Sequence, residues 1–590
     1  MQLRPFAQLV VPVLAVCAVV FGAGSTAWAA GSCDPPAPLK VPSSGTVVGS
    51  GTAASCTESA LRTAVTRGGH VTFKCGDTVK ISISRELSVR KTTVIDGGGK
   101  VTLDGRGKNR ILVAEDRTTL SVRNLTFVNG AAEQSDSRVT GTGGAVAGRF
   151  QSRVEVIGST FRNNSAGIGG GAVAVHTDSS LSISRSTFTG NSSWYGGAVY
   201  SLLSPLSVIN STFTDNRTTT DGGLGDGGAI GTDGGKPIGQ SGGLIQICGS
   251  TIKNNTGHGN GGGAYLWAYA PDKIVIERTT FVGNRVKSNG RGGNGAGGAA
   301  RLSMGPDTGR DGTIIVRQSS LLDNTSDGNG GALYLDCFPT CAISNSTIHG
   351  NNAKDFGGAI FGDGHRSNNV TYAKNRAGGH GGALFGSKFV LNNTVFVGNS
   401  AGNPWGQAMT CSSTGTGAKV VQWLTTSRDN SNKCVPGAVA ANPRLAAPAA
   451  NGGSTANMMP AKNSPLLGAG AKCESQDQRG EKRDTSRCDV GAVQRTGVAA
   501  ASPSPSPSSP SPSPSVSGSP GTAAVPLAQL PPVEAAAEQG PAAEPGSPIL
   551  PITLAGAGVV AAAATLFTLR TLRRPRGGVH RSGARQATDD

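Results

Sequence analysis

The chain has 590 residues, a net charge of +17, only 15% charged residues, 89 glycines and few aromatics. Glycine at that level without a Gly-X-Y period excludes collagen and suits closely stacked backbone better than a thick helical core. The positive charge is spread, with no basic stripe and no recognised motif beside it, so no nucleic-acid partner is expected.

Residues 1–30 read as a signal peptide: Arg4 precedes an apolar run from Leu9 to Phe21, and Ala27-Trp28-Ala29 is a small-x-small cleavage site. Val16 before Cys17 is too bulky for a usual lipobox. Ten cysteines then remain, and an even number in an exported chain points to disulfides. Local spacing pairs Cys56 with Cys75, Cys337 with Cys341, Cys411 with Cys434 and Cys473 with Cys488, leaving the pairing of Cys33 and Cys248 open. No C-x-x-C pair or nearby histidine set favours a metal instead.

Residues 31–76 form an expected N-terminal cap, with a short helix over Thr57–Thr66, N-capped by Thr57 and stopped by Gly68-Gly69. A helix pinned by a disulfide would shield the open end of a stack of strands. Strand-like runs HVTFKC, TVKISIS, TTVIDG and KVTLDG follow.

The body, residues 77–436, is built on a repeat. Its clearest forms are STFRNNSAGIGGGAV (Ser159–Val173) and STFTGNSSWYGGAV (Ser186–Val199). The repeated asparagines are Asn164, Asn191, Asn216, Asn255, Asn284, Asn324, Asn351, Asn375 and Asn399, in steps of 27, 25, 39, 29, 40, 27, 24 and 24 residues. A base period near 24 with longer units is the mark of a solenoid. In SLSISRSTFTGN, Leu181 and Ile183 share a strand face while Phe188 is out of parity, so a bend is expected near Ser184–Ser186. About 24 residues at roughly 3.3 Å give a circuit of about 80 Å, enough for a three-sided coil. Gly-Gly-Ala supplies one corner, and the asparagines are placed to satisfy backbone and to hydrogen-bond from coil to coil.

The F-x-x-N and G-G-A-[ILV] pair over about residues 120–400 resembles the repeats of chlamydial polymorphic outer-membrane proteins and related surface proteins of the pectin-lyase-like superfamily. That resemblance implies an all-β, right-handed parallel β-helix and assigns no activity. The chlamydial C-terminal barrel has no counterpart here, so that export route does not carry over. Residues 437–497, with Asn451-Gly452-Gly453, Ser464-Pro465-Leu466, Asp477-Gln478-Arg479-Gly480 and Cys488-Asp489-Val490-Gly491-Ala492, resemble the choice-of-anchor Q segment of exported bacterial surface proteins. Asp477, Arg479, Arg483 and Asp489 there read as ion pairs of a cap more readily than as a site.

Residues 498–547 are an Ala/Ser/Pro linker that cannot bury a core and favours extended polyproline. Residues 548–570 hold the uncharged run Ile549–Leu569, long enough to span a bilayer, and residues 571–590 form a basic tail on the cytoplasmic side. Leu550-Pro551-Ile552-Thr553-Leu554 departs from a sortase signal at its last position, which favours a retained single-pass anchor with the body outside the cell of a Gram-positive, high-GC bacterium.

For chemistry, a polygalacturonase-like site needs paired aspartates in Asn-Thr-Asp and Asp-Asp; only Gly257-His258-Gly259 and Gly379-His380-Gly381 match, in glycine-rich loops. No catalytic residue and no cofactor is expected. Calcium at Asp215, Asp221, Asp226 and Asp233 is kept as an alternative, with solvated loop aspartates as the plainer reading. The candidate ligand-binding residues are Trp194, Tyr195, Trp267 and Tyr269, on the premise that one ring of each pair faces inward and the other stands on the surface. The insertions 217–226, 232–242, 285–295 and 303–312 should project side by side. The expected function is adhesion to wall or extracellular polysaccharide or to a surface protein; a polysaccharide lyase or hydrolase and a plain spacer are the alternatives.

Overall fold

The computed structural model describes residues 33–133, 141–220, 225–236, 242–289, 294–305, 311–337, 339–403, 409–424, 433–484 and 487–495. The expected leader, linker, membrane anchor and tail lie outside them. No helix among the described residues is long and apolar enough to cross a membrane.

One circuit shows how the repeat folds. Ser180–Ser184 and Thr187–Thr189 run in a 23-stranded sheet, Ser192–Ser193 in a 10-stranded sheet and Val199–Leu202 in an 11-stranded sheet. The chain then re-enters the first sheet at Leu206–Ile209, parallel to and in register with its start, Leu206 beside Leu181. Every pairing between named strands is parallel, the arrangement of a β-solenoid. The bend expected at Ser184–Ser186 is present, with Arg185 in the left-handed region (φ +48°). The longer steps leave register untouched: Thr212 pairs with Thr251 and Thr280 with Ser320. The extra residues therefore leave the coil at its corners.

Inside, like stacks on like. Phe127, Phe161, Phe188 and Phe213 lie on successive rungs with centroids 4.8, 4.7 and 4.6 Å apart and rings within 5° of parallel. All nine repeat asparagines are buried. In each link the carboxamide oxygen of one accepts from the side-chain and backbone N–H of the one before; Asn216 Oδ1 takes Asn191 Nδ2 at 2.9 Å and Asn191 N at 3.0 Å. The Nδ2 groups also donate to a strand carbonyl, Asn216 to Phe188 at 3.0 Å. A second ladder lies at the bend, where Ser186, Ser211 and Ser250 each accept the N–H of the previous coil's serine at 3.1 Å and donate to a carbonyl two residues back. At the Gly-Gly-Ala corner Gly196 has φ +55°, and a Cβ there would run into the carbonyl oxygen of Val199.

The cap helix α1 spans Glu58–Arg67, with the Thr57 hydroxyl accepting from Ala60 N at 3.2 Å and Gly68 ending it at φ +78°. Its Leu61, Ala64 and Val65 are buried against the first coils. The two runs TTVIDG and KVTLDG form one strand, Thr93–Asp104, interrupted in register between Asp96 and Val101.

Disulfides join Cys56 to Cys75, Cys337 to Cys341, Cys411 to Cys434 and Cys473 to Cys488. A fifth joins Cys33 to Cys248, the pair that sequence left open. It is made possible by a strap: residues from Cys33 onward run along the coils, with Asn210 Nδ2 donating to Cys33 O and Arg123 to Leu39 O at 2.6 Å. The segment after Cys434 also lies along the solenoid. Arg483, almost wholly buried, donates to Asn345 Oδ1 at 3.0 Å and to the carbonyls of Gly491 and Ala492 at 2.9 and 2.8 Å. Arg479 pairs with buried Asp477 at 2.9 Å. Asn369 and Asn393, left-handed residues at the same corner as Arg185, donate to Asp489 O and Ala471 O. The four charged residues singled out in this segment are thus held by bonds within it and, for Arg483, also by Asn345 of the coil.

Candidate functional site

The third position after the corner glycine pair (Gly196-Gly197, Gly227-Gly228, Gly261-Gly262) points outward from the 11-stranded sheet. Register aligns Tyr200, Gly231, Tyr265, Arg301, Tyr334, Phe361 and Phe385 in one row, a residue per coil. Two residues on, a parallel row carries Leu202, Asp233, Trp267 and Ser303, with Asp336 next to Ser303. Strand Ala264–Tyr269 alternates buried and half-buried, so Tyr265, Trp267 and Tyr269 all face out. This corrects the premise that one of Trp267 and Tyr269 turns inward: residues two apart share a face.

Around Gly231 these side chains enclose a pocket of about 370 Å³, lined by Tyr195, Tyr200, Asp226, Gly231, Thr232, Asp233, Tyr265, Trp267 and Tyr269. Of the four aromatic candidates it brings together Tyr195, Trp267 and Tyr269; Trp194, half-buried, is not in its lining. Tyr200 and Tyr265 were missed: Tyr200 stands second after Gly-Gly-Ala and Tyr265 first, so only the pairing of each with Gly231 brings them into one row. The rings are inclined to one another, 53° between Tyr265 and Trp267 and 69° between Trp267 and Tyr269, so they form walls and not a flat platform. Tyr195 and Tyr200 stack at 5.9 Å on the far side.

The walls are fixed. Tyr269 Oη donates to Asp233 Oδ1 at 2.8 Å, and Thr232 Oγ1 donates to Trp267 O at 3.0 Å. Buried Asp272 accepts from Gly235 N and Gly243 N at 2.7 Å, stapling the base of the 232–242 insertion. Asp226 is 2% exposed and accepts from Asn260 Nδ2 at 2.8 Å; burial pushes its carboxyl up to about 6. Burial likewise pushes the Tyr269 phenol up to about 12 and raises those of Tyr200 and Tyr265. The phenols of Tyr200, Tyr265 and Tyr269 are therefore neutral at ordinary pH.

The insertion tips, including Asp221, fall outside the described residues, but residues at their bases, Asp226, Thr232 and Asp233, line the pocket. Among the described residues no group of three His, Cys, Asp or Glu side chains is placed to hold a metal. Asp215 sits at a left-handed turn (φ +56°) and does not line this pocket. The Gly-His-Gly histidines are loop residues: His258 Nδ1 meets Thr218 O at 2.8 Å, and His380 lies over Phe356.

Residues 185–202 match the Chlamydia polymorphic membrane protein (Chlamydia_PMP) repeat. The matched stretch holds Phe188, Asn191 and Gly196-Gly197-Ala198 of the coil, and also Tyr195 and Tyr200 of the pocket. No curated protein matches the chain.

Proposed function

We propose that this chain is a non-catalytic binding scaffold displayed at a bacterial cell surface, an adhesin for wall or extracellular polysaccharide or for another surface protein. The observation that carries the reading is the outward row of rings on the 11-stranded sheet, which surrounds a walled pocket at Gly231. Aromatic walls with a few fixed polar groups are what binding sites are made of. The likeness of residues 185–202 to a membrane-protein repeat agrees with such a placement. In this reading the coil is right-handed, as parallel crossovers are, the 1–30 leader exports it, and residues 548–570 hold it in the membrane. Incubating the detergent-purified full chain with a glycan array, with acidic polysaccharides and with surface-protein extracts tests it. Saturable retention lost in Trp267→Ala supports binding, and no retention on any of them leaves only a spacer.

One observation favours a second reading as a glycoside hydrolase. Asp226 and Asp233 share the pocket, and Asp226 is pushed up to about 6, where a general acid works. New reducing ends in the same incubations, lost in Asp226→Asn, would select it.

A further inference from the structure

The outward row contains its own precedent for a ligand. Arg301 stands between Tyr265 and Tyr334, one rung from each, with its guanidinium carbon 5.8 Å and 4.5 Å from the two ring centroids. Asp336, in the neighbouring row, neutralises it at 2.9 Å, and Ser303 Oγ donates to the same carboxylate oxygen at 2.6 Å. This face therefore accepts a planar cation between two rings, with a carboxylate two positions along the strand row.

Gly231 shares the flanking rings, with a carboxylate on its own strand where Arg301 has one on the next coil. It stands between Tyr200 and Tyr265, one rung from each, and Asp233 occupies the neighbouring row. Glycine contributes no side chain of its own, and a Cβ there would meet Gly196 N at 2.8 Å, so the position is held as glycine by backbone packing. Among the described residues the pocket is lined by five aromatic rings and two aspartates and by no lysine or arginine, in a chain whose net charge is +17. Electron-rich rings beside carboxylates favour a cation, whereas a sugar stacks on a single flat face, and these rings are inclined to one another by 53° and 69°.

We propose that the pocket around Gly231 binds an organic cation, a guanidinium or alkylammonium group, clasped between Tyr200 and Tyr265 and neutralised by Asp233. The inference rests on the non-catalytic binding reading and names the chemistry its ligand must carry. Arg301 supplies that chemistry from within the chain two rungs away; at Gly231 it has to come from a partner.

The test uses the detergent-purified full chain and calorimetric titration with four probes. Agmatine carries a guanidinium, choline a quaternary ammonium, 3,3-dimethylbutanol is choline's neutral isostere, and N-acetylglucosamine is a neutral sugar. Agmatine or choline should bind saturably at a 1:1 ratio, at least tenfold more tightly than the isostere, and the preferred cation tells which head group the partner carries. Asp233→Asn, which keeps an acceptor for Tyr269, should weaken the cation about tenfold while leaving the thermal melting of the chain unchanged. Equal affinity for choline and its isostere, or no binding of either cation at millimolar concentration, overturns the inference. If the cations fail while N-acetylglucosamine or an array glycan binds, the binding function stands and only the cation is wrong. If probes and arrays are all blank, both fail.

Discussion

The interior asparagines are where single residues matter most. Asn255 closes four hydrogen bonds: its Oδ1 accepts from Asn216 N and Nδ2 at 2.9 and 3.0 Å, and its Nδ2 donates to Phe213 O and Asn284 Oδ1 at 3.0 and 2.9 Å. Replacing it with alanine takes partners from buried groups on the two flanking coils, and each group left unpaired costs about 1–3 kcal/mol. Asn255→Ala should destabilise the chain by roughly 3–5 kcal/mol in a denaturant titration, with the amide of Asn216 gaining hydrogen exchange first. Two buried titratable groups set opposing pH slopes. Burial pushes Asp226 up to about 6 and His365 down to about 4. Between about pH 4 and 6 folded Asp226 keeps a proton that the unfolded chain has released, so it stabilises at low pH and costs on the order of 2–3 kcal/mol above pH 6. His365 acts the other way: the unfolded chain takes its proton first as pH falls below about 6.5, so that contribution is lost toward pH 4. Asp226→Asn should therefore raise the melting temperature at pH 8, have little effect at pH 4, and leave a steeper acid loss. His365→Leu should flatten that loss in the same melting series.

At the scale of elements, what could be read from sequence was what depends on neighbours in sequence. Thr57 caps α1 and Gly68 ends it because both signals act within one turn. The four short-range disulfides follow for the same reason. The serine ladder escaped because a serine before a strand has many local uses, and only the stacked register makes Ser186 an acceptor for the coil before it. The pocket escaped in part: Trp267 and Tyr269 stand out as aromatics, but Tyr200 becomes their partner only through the pairing of Tyr200 with Gly231 and Gly231 with Tyr265. The segment after Cys434 was legible as a distinct unit by composition, yet its seat on the coil corners was not, since Asn345, Asn369 and Asn393 look like ordinary turn residues. Arg483 carries that seat, with bonds to Asn345, Asp489, Gly491 and Ala492. Truncating it leaves buried acceptors unpaired, at about 3–5 kcal/mol. Arg483→Ala should let limited proteolysis cut between residues 437 and 495 while the coils up to residue 403 stay resistant; equal resistance would mean the apolar contacts of Leu466 and Val490 with Val395 and Val421 suffice.

For the molecule as a whole, a solenoid is bonded only to its neighbours, so its ends open first and opening spreads coil by coil. At the N-terminal end the strap opposes this. Cys33 is bonded to Cys248 across 215 residues of sequence, and between them Leu39 is held by Glu155 and Arg123. Closing so long a loop removes about 5 kcal/mol of unfolded-state entropy on the chain-entropy account. The effect is local in the folded state, because the strap's bonds to Arg123, Glu155, Asn210 and Cys248 all fall within the coils from Arg123 to Cys248. Replacing both cysteines, Cys33→Ser with Cys248→Ser, should speed hydrogen exchange in the strands from Gly45 to Cys248 by tenfold or more. Exchange in Arg366–Ala373, where the C-terminal segment is seated, should stay as in the parent. A uniform rise along the chain would show that the coils open together, and the strap would then be a global constraint and not an end clamp.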